Sequence, residues 1–255
     1  MDPVDVVALT RALVDIDSTT GREEEAGRYL AAYLRARGYR VLEQAVDGTR
    51  ANIWATRGTP EIVLSTHYDC VPPFFASAER DGAIYGRGSA DAKGILAAQV
   101  AAAETLHAAG EDRVGLLFVV GEERGSDGAA AANTLAPGCR LLINGEPTEN
   151  RLGTSSRGVL RVRLRAAGRA AHSAYPERGE SAIEKLVDAL LMLRTLDLPD
   201  DPEAGRTSYS VGLVSGGVAP NVVPAAASAE VVFRTVGDSG LVRDRLRALA
   251  PLVSI

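Results

Sequence analysis

The sequence predicts an α/β protein: a mostly parallel sheet with helices on both faces, followed by a smaller ferredoxin-like α+β domain. Three observations carry this. Up to about residue 150, short apolar runs alternate with helical patterns, as in a sheet built from crossover units. Beyond about residue 154, strands instead alternate apolar and charged residues, as half-exposed strands do. A chain of 255 residues with 46% hydrophobic residues is long enough for one large domain or two smaller ones, each with its own core. The expected units are 1–153 and 154–255, a boundary that rests on the change of pattern alone.

Residues 4–16 and 22–37 have apolar positions at helical spacing, and the second helix opens at "TTGREEE", where acids suit the positive end of the helix dipole. "RANIWAT" (50–56) reads as a strand. After Pro60, "EIVLSTHYD" (61–69) is a short apolar strand running into His67 and Asp69. "GAIYGRGSADAKG" then leads into an alanine-rich helix from Ile95 to Ala108. A strand over Val114 to Val120, a helix over Asp127 to Asn133 and a strand in "RLLINGEPT" (140–148), ending in Glu146, complete the first part. In the second part, "GVLRVRLRAAG" (158–168), "TSYSVGLVSGG" (207–217) and "ASAEVVFRTV" (227–236) read as strands. "ESAIEKLVDALLMLRTL" (180–196) and "GLVRDRLRALA" (240–250) read as amphipathic helices. Strand, helix, strand, strand, helix is most of a split βαβ unit, and "LVSI" (252–255) begins its last strand.

Several classes are excluded. The start, "MDPVDVVALTRALVDIDS", carries acids and helical spacing instead of a basic segment followed by an apolar one, so it does not read as a secretory signal. No window approaches the length of a membrane span. Cys70 and Cys139 form neither a metal-type spacing nor a disulfide framework, which fits a reducing cytoplasm. A formal charge of −5 argues against a nucleic-acid partner.

Polar chemistry recurs at the carboxyl ends of successive strands: His67 and Asp69, then Glu122 and Glu123, then Glu146, with Asp91 opening a helix. Open parallel sheets bind ligands at that edge. One histidine among several carboxylates suits divalent ions, zinc above all, and a carboxylate can bridge two of them. Singly, each signal is weak. An HxD pair is usually a capped loop, paired glutamates usually complement a helix dipole, and "GRGSADAKG" lacks the lysine-serine/threonine ending of a nucleotide loop. Their joint appearance on consecutive strand ends is what those ordinary roles leave unexplained.

"STHYDCVP", "YGRGSADAKG", "GEERGSDGA", "NGEPT" and "AHSAYPERGESAI", in that order, resemble the zinc-dependent aminoacylase and carboxypeptidase G family, which includes acetylornithine deacetylase and succinyl-diaminopimelate desuccinylase. The resemblance implies that His67, Asp91 and Glu146 hold one Zn2+ and that Asp91 and Glu123 hold a second, with Asp91 as the bridge. Co2+ or Mn2+ are the alternative metals. Asp69 is expected to accept a hydrogen bond from the imidazole, and Glu122 to be the general base. A cis peptide is expected at Asp91–Ala92. The second domain would be a lid that pairs two subunits. Its His172 would reach the partner's site, while Asn221 and Arg234 would bind the substrate's carbonyl and carboxylate.

The reading that follows is a cytoplasmic, homodimeric two-zinc amidohydrolase cleaving an N-acyl amino acid, acetylornithine deacetylase-like. A dipeptidase or carboxypeptidase of the same family, acting on short peptides, is the alternative. A noncatalytic binding or dimerisation module is a further one. His107 is expected on the surface and Cys70 in packing. The family resemblance also calls for a further histidine from a segment after the lid. On that ground the 255-residue chain is expected to hold at most one zinc tightly, to have little amidase activity and to expose an apolar surface.

Overall fold

The structure is a computed structural model that describes residues 2–135 and 138–255. Two compact units divide the chain, Met1–Arg151 and Leu152–Ile255. In the first, helix α1 (Val6–Val14) starts at Asp5, whose side chain accepts the Ala8 N–H at 2.9 Å. Helix α2 (Glu24–Ala36) follows. Strands β1 (Arg40–Asp47) and β2 (Arg50–Thr56) form a hairpin across Gly48 and Thr49. The sequence reading did not include β1. None of its residues is fully buried, so its alternation is blurred, and the Asp-Gly turn was the only usable signal.

Strand β3 (Ile62–His67), the short hairpin β4 (Ala78–Arg80) and β5 (Ala83–Tyr85), helix α3 (Gly94–Ala108), strand β6 (Val114–Val119), helix α4 (Asp127–Ala132) and strand β7 (Leu141–Asn144) complete the unit. The sheet order is β1-β2-β6-β3-β7. β6, β3 and β7 are parallel to one another, whereas β2 runs antiparallel to both of its neighbours. The parallel register sets His67 beside Val119 and Ser65 beside Asn144. The chain therefore leaves β3, β6 and β7 along one edge of the sheet, and residues 67, 122–123 and 146 follow there.

One face of the sheet carries the main core. Leu9 and Leu13 of α1, Leu30 and Leu34 of α2, and Leu96 and Val100 of α3 close over Ile53, Leu116 and Phe118. Each such side chain contributes about 1.5–3 kcal/mol on burial. The other face has a smaller cluster, Val63, Leu117 and Val119, with Trp54 and Leu135 partly buried against it, and α4 packs on this side of β1, β2 and β6. On the edge strand β7, Leu141, Leu142 and Ile143 are all more than half exposed.

The surface expectation for His107 is corrected. The residue is buried, edge-on to the Tyr39 ring at 5.4 Å, and its Nδ1 faces the Glu111 carbonyl at 2.9 Å and the Asp112 carboxylate at 3.0 Å. Leu96, Val100, Ala103 and His107 follow the 4-3-4 spacing of one helix face, which carries the imidazole inward with the leucine and valine.

The second unit contains β8 (Gly158–Ala167), β9 (Ala171–His172), helix α5 (Ala182–Leu193), the short pair β10 (Asp200–Asp201) and β11 (Gly205–Arg206), then β12 (Ser208–Gly216), β13 (Val222–Val223), β14 (Ala226–Thr235) and helix α6 (Ser239–Leu246). Its main sheet is antiparallel in the order β12-β14-β8. On the free side of β8, Ser254 exchanges two 2.8 Å backbone hydrogen bonds with Arg165, the start of the expected last strand in the position a split βαβ unit gives it. Along β8, Leu160, Val162, Leu164 and Ala166 face the core while Arg161, Arg163 and Arg165 face out. Helix α5 covers the apolar face with Ala182, Leu186, Ala189 and Leu193, and is N-capped by Ser181, whose hydroxyl oxygen accepts the Glu184 N–H at 3.2 Å. Among the described residues, no helix is long and apolar enough to cross a membrane.

Candidate metal centre

His67 ends β3 with its imidazole buried. Its Nε2 lies 2.9 Å from Asp91 Oδ1 and 3.8 Å from Glu146 Oε2. The Asp69 main-chain carbonyl accepts from Nδ1 at 3.0 Å, whereas the Asp69 carboxylate is 3.5 Å away. The imidazole is thus oriented through Nδ1, which leaves Nε2 aimed at the acids. Burial pulls its pKa down, but Asp69, Glu146 and Asp91 outweigh burial and push it up to about 9.

Asp91 is delivered by the turn Ser89–Lys93, and its peptide to Ala92 is cis, as the family resemblance implies. One ligand atom each from His67, Asp91 and Glu123 lies within 4.8 Å of the others. Glu146 follows β7 and accepts from Asn144 Nδ2 at 3.2 Å. Burial raises the pKa of Glu123, with Asp91 adding to it; burial likewise raises Glu146, with Glu122 adding. Several carboxylates pressing on one another around a single imidazole form a donor set with excess negative charge. That set fits a hard or borderline divalent ion.

The glutamate pair sits in a turn after β6 that is tied down from several sides. Gly121 adopts φ +69°, and a Cβ there would collide with the Asp127 carboxylate, so only glycine serves. Asp69 is fully buried; its Oδ1 accepts the Glu122 N–H at 3.0 Å, and its Oδ2 accepts the Glu123 N–H at 3.2 Å and the Thr20 hydroxyl at 2.8 Å. On the β2 side, Asn52 accepts from the Val120 N–H at 3.2 Å and donates to the Gly128 carbonyl at 2.8 Å. Arg50 donates to Asp127 at 2.8 Å and to the buried Glu23 at 3.0 Å. Behind Asp91, the buried Lys93 ammonium donates to the Leu13 and Ile16 carbonyls at 2.9 and 3.0 Å. Glu122, His67 and Glu146 line one cavity of about 520 Å3.

Sequence reasoning missed Thr20, Asn52 and Lys93. An asparagine inside the apolar "RANIWAT" and a lysine inside the turn that carries Asp91 were usable signals, since neither residue type is buried without partners. Thr20 had none. The packing expected of Cys70 is observed: it is buried, with Ser18 Oγ at 3.8 Å from its sulfur.

In the second unit, His172 pairs with Val222, and the Ser173 N–H donates to the Asn221 carbonyl at 3.0 Å, so His172 and Asn221 share one corner. His172 Nδ1 accepts the Ala174 N–H at 3.1 Å, which puts the ring proton of the neutral imidazole on Nε2. Arg234 is not at that corner. It lies eight residues along β14 from Ala226, roughly 27 Å at 3.4 Å per residue, beside Ser208 and Val159.

Residues 154–247 match the M20 peptidase dimerisation domain. Over 264 residues the chain is 39% identical to an Aspergillus clavatus protein named "Probable carboxypeptidase", with 92% of this chain and 58% of the relative covered. The second unit thus carries the dimerisation domain of M20 peptidases. The chain spans about three-fifths of the length of that relative. A Staphylococcus aureus tripeptidase superposes on this chain with a TM-score of 0.78 at 23% identity, covering 97% of this chain and 70% of the other. A Bacillus subtilis protein described as a dinuclear metal binding peptidase of the M20 family gives 0.66 at 16% identity, over 96% and 68%. At these identities the likeness is one of fold.

Proposed function

We propose that this chain is part of an M20 metal-dependent peptidase that cleaves the amide bond next to a free terminal carboxylate, as a carboxypeptidase or dipeptidase does. The observation that carries the proposal is the group formed by His67, Asp91 and Glu123. The name of the Aspergillus clavatus relative and the tripeptidase fold favour peptides over the N-acetylated amino acid suggested by the motifs. The bond broken is an amide in either case.

His67, Asp91, Glu123 and Glu146 would hold the metal, with Zn2+ as first choice and Co2+ or Mn2+ as substitutes; the family resemblance implies that Asp91 would be the ligand shared by two ions. A divalent ion bound there polarises the scissile carbonyl and makes a water molecule more acidic. Glu122 takes the proton from that water on a carboxylate oxygen and passes it to the departing amine nitrogen. Asp69 keeps Glu122 and Glu123 aimed by holding their backbone. His172 donates from Nε2 to the oxygen that gains charge and Asn221 binds the substrate carbonyl; the Arg234 guanidinium, remote from that corner in its own subunit, would take the terminal carboxylate from the other subunit of a pair. A homodimer paired through residues 154–247 would let the His172 corner of one subunit serve its partner's centre.

The test is amine release by the zinc- or cobalt-loaded chain from dipeptides with free or amidated carboxyl termini and from N-acetyl amino acids. Faster turnover of the free-carboxylate dipeptides is expected. Faster turnover of N-acetyl amino acids would overturn the peptidase reading, and failure to bind a divalent ion would overturn its metal basis.

A further inference from the structure

We infer that Thr20 is a positioning residue for this centre, acting through Asp69 on the turn that carries Glu122 and Glu123; its importance for chemistry rests on the metal-peptidase reading above.

The Asp69 carboxylate is fully buried, and a buried charge is tolerated only when its lone pairs are engaged. Two backbone amides approach from the glutamate turn, at 3.0 and 3.2 Å. The Thr20 hydroxyl, at 2.8 Å on Oδ2, is the shortest of its hydrogen bonds. It comes from the connection between α1 and α2, which contributes no ligand.

That connection is itself anchored. The Thr20 N–H donates to the Cys70 carbonyl at 3.1 Å, the Cys70 N–H donates to the Ser18 carbonyl at 3.1 Å, and the Ser18 hydroxyl donates to the Tyr68 carbonyl at 2.6 Å. Asp17 accepts both the amide and the hydroxyl of Thr19, at 3.0 and 2.9 Å. The segment runs along residues 68–70 like a short extra strand, with Thr19 paired in parallel to Cys70. A fixed platform therefore presents the Thr20 hydroxyl to Oδ2.

His67 Nδ1, 3.5 Å from Oδ1, is the competing donor. Without the hydroxyl, the carboxylate is free to turn about its last torsion toward the imidazole and to loosen its hold on the Glu123 N–H. Thr20 thus sets how Asp69 is divided between the histidine and the glutamate turn. Because Thr20 touches no ligand atom of the centre, its effect is on aim.

Thr20→Val keeps the shape and removes the hydroxyl, and Thr20→Ser restores it; Thr20→Ala replaces the valine variant if melting shows that variant unfolded. Two readouts apply to the full chain: amide hydrogen exchange at Glu122 and Glu123 without metal, and Co2+ affinity followed by visible absorption. Thr20→Val is expected to speed exchange at Glu123 and to weaken Co2+ binding, each by about tenfold. Thr20→Ser is expected to match the parent in both. Unchanged exchange at both amides in Thr20→Val overturns the inference, as does a well-folded Thr20→Ser that behaves like the valine variant. If the parent chain binds no Co2+, the metal reading fails, and the exchange measurement alone decides the role of Thr20.

Discussion

Asp69 accepts the backbone N–H of Glu122 at 3.0 Å and so joins the end of β3 to the turn that follows β6. With the Glu123 amide on its second oxygen, one buried carboxylate clamps both members of the glutamate pair by their main chain. The side chains are left free for separate tasks. Orientation of His67, the role expected of this carboxylate, is shared with the Asp69 carbonyl oxygen, which is nearer to Nδ1.

Asp69→Asn should therefore disturb the glutamates as well as the histidine. An amide offers one acceptor atom where the carboxylate offers two, so at least one backbone N–H or the Thr20 hydroxyl loses its partner. Metal affinity, measured by competition with a chromophoric chelator, is expected to fall roughly 10–100-fold.

The same variant has a pH signature. Burial tends to raise the Asp69 pKa, but hydrogen bonds from His67, Thr20 and Glu122 outweigh it and hold the folded value below the ordinary 3.8. A lowered folded value stabilises the folded state fully above the unfolded pKa, and this is lost as pH falls through the folded one. The stability difference between the parent and Asp69→Asn in urea should be constant above about pH 5 and close below about pH 4. A difference that persists undiminished below pH 3 would count against the clamp.

Glu122→Gln and Glu123→Gln should separate base from ligand. The first keeps the shape of the side chain and its backbone clamp, so zinc content should stay near that of the parent while turnover falls at least about 100-fold. The second removes a charge from the group that includes His67 and Asp91 and should weaken metal binding. Equal loss of metal in both would contradict the division of roles.

The strand ends carrying His67, Glu122–Glu123 and Glu146 were legible because apolar runs ending in acids are local features of the sequence. Their convergence was legible only through the parallel register, which sets His67 beside Val119. What could not be read were contacts that bring distant segments together: Thr20 on Asp69 spans 49 residues, and Asn52 on Val120 spans 68. Threonine at the end of a loop looks the same whether its hydroxyl meets water or a buried carboxylate. His107 was misread for a different reason. Its polarity suggested solvent, whereas its helical phase with Leu96 and Val100 pointed to the core.

Lys93→Met tests the support behind Asp91. The ammonium is fully buried and caps two carbonyls near the end of α1, where the helix dipole is negative. Methionine keeps the length but leaves both carbonyls without that donor, a loss of about 1–3 kcal/mol in part offset by no longer burying a charge. Burial lowers the folded pKa of Lys93 below 10.5, so between the two values the unfolded chain binds the extra proton and stability rises with pH. The advantage of the parent over Lys93→Met in urea should therefore grow as pH approaches 10.5.

Pairing of subunits is the remaining expectation, and β12 is where it should be tested. Among the described residues this strand has β14 on one side and no strand on the other, and Leu213 and Val214 are 64% and 62% exposed. Glutamates at both positions should leave the fold of the unit intact, since neither side chain is in its core, and should oppose a two-fold contact by setting like charges together. Light scattering is expected to show the parent as a dimer and Leu213→Glu/Val214→Glu as a monomer. Mixed dimers then test the reach of His172. A Glu122→Gln subunit can lend its His172 to a His172→Ala partner that still has its base, so random mixing should regain about a quarter of the parental activity, one competent centre in half of the dimers. Full parental mass in the double-glutamate variant would remove β12 from the interface, and absence of complementation in dimers shown to be mixed would mean that His172 serves its own subunit.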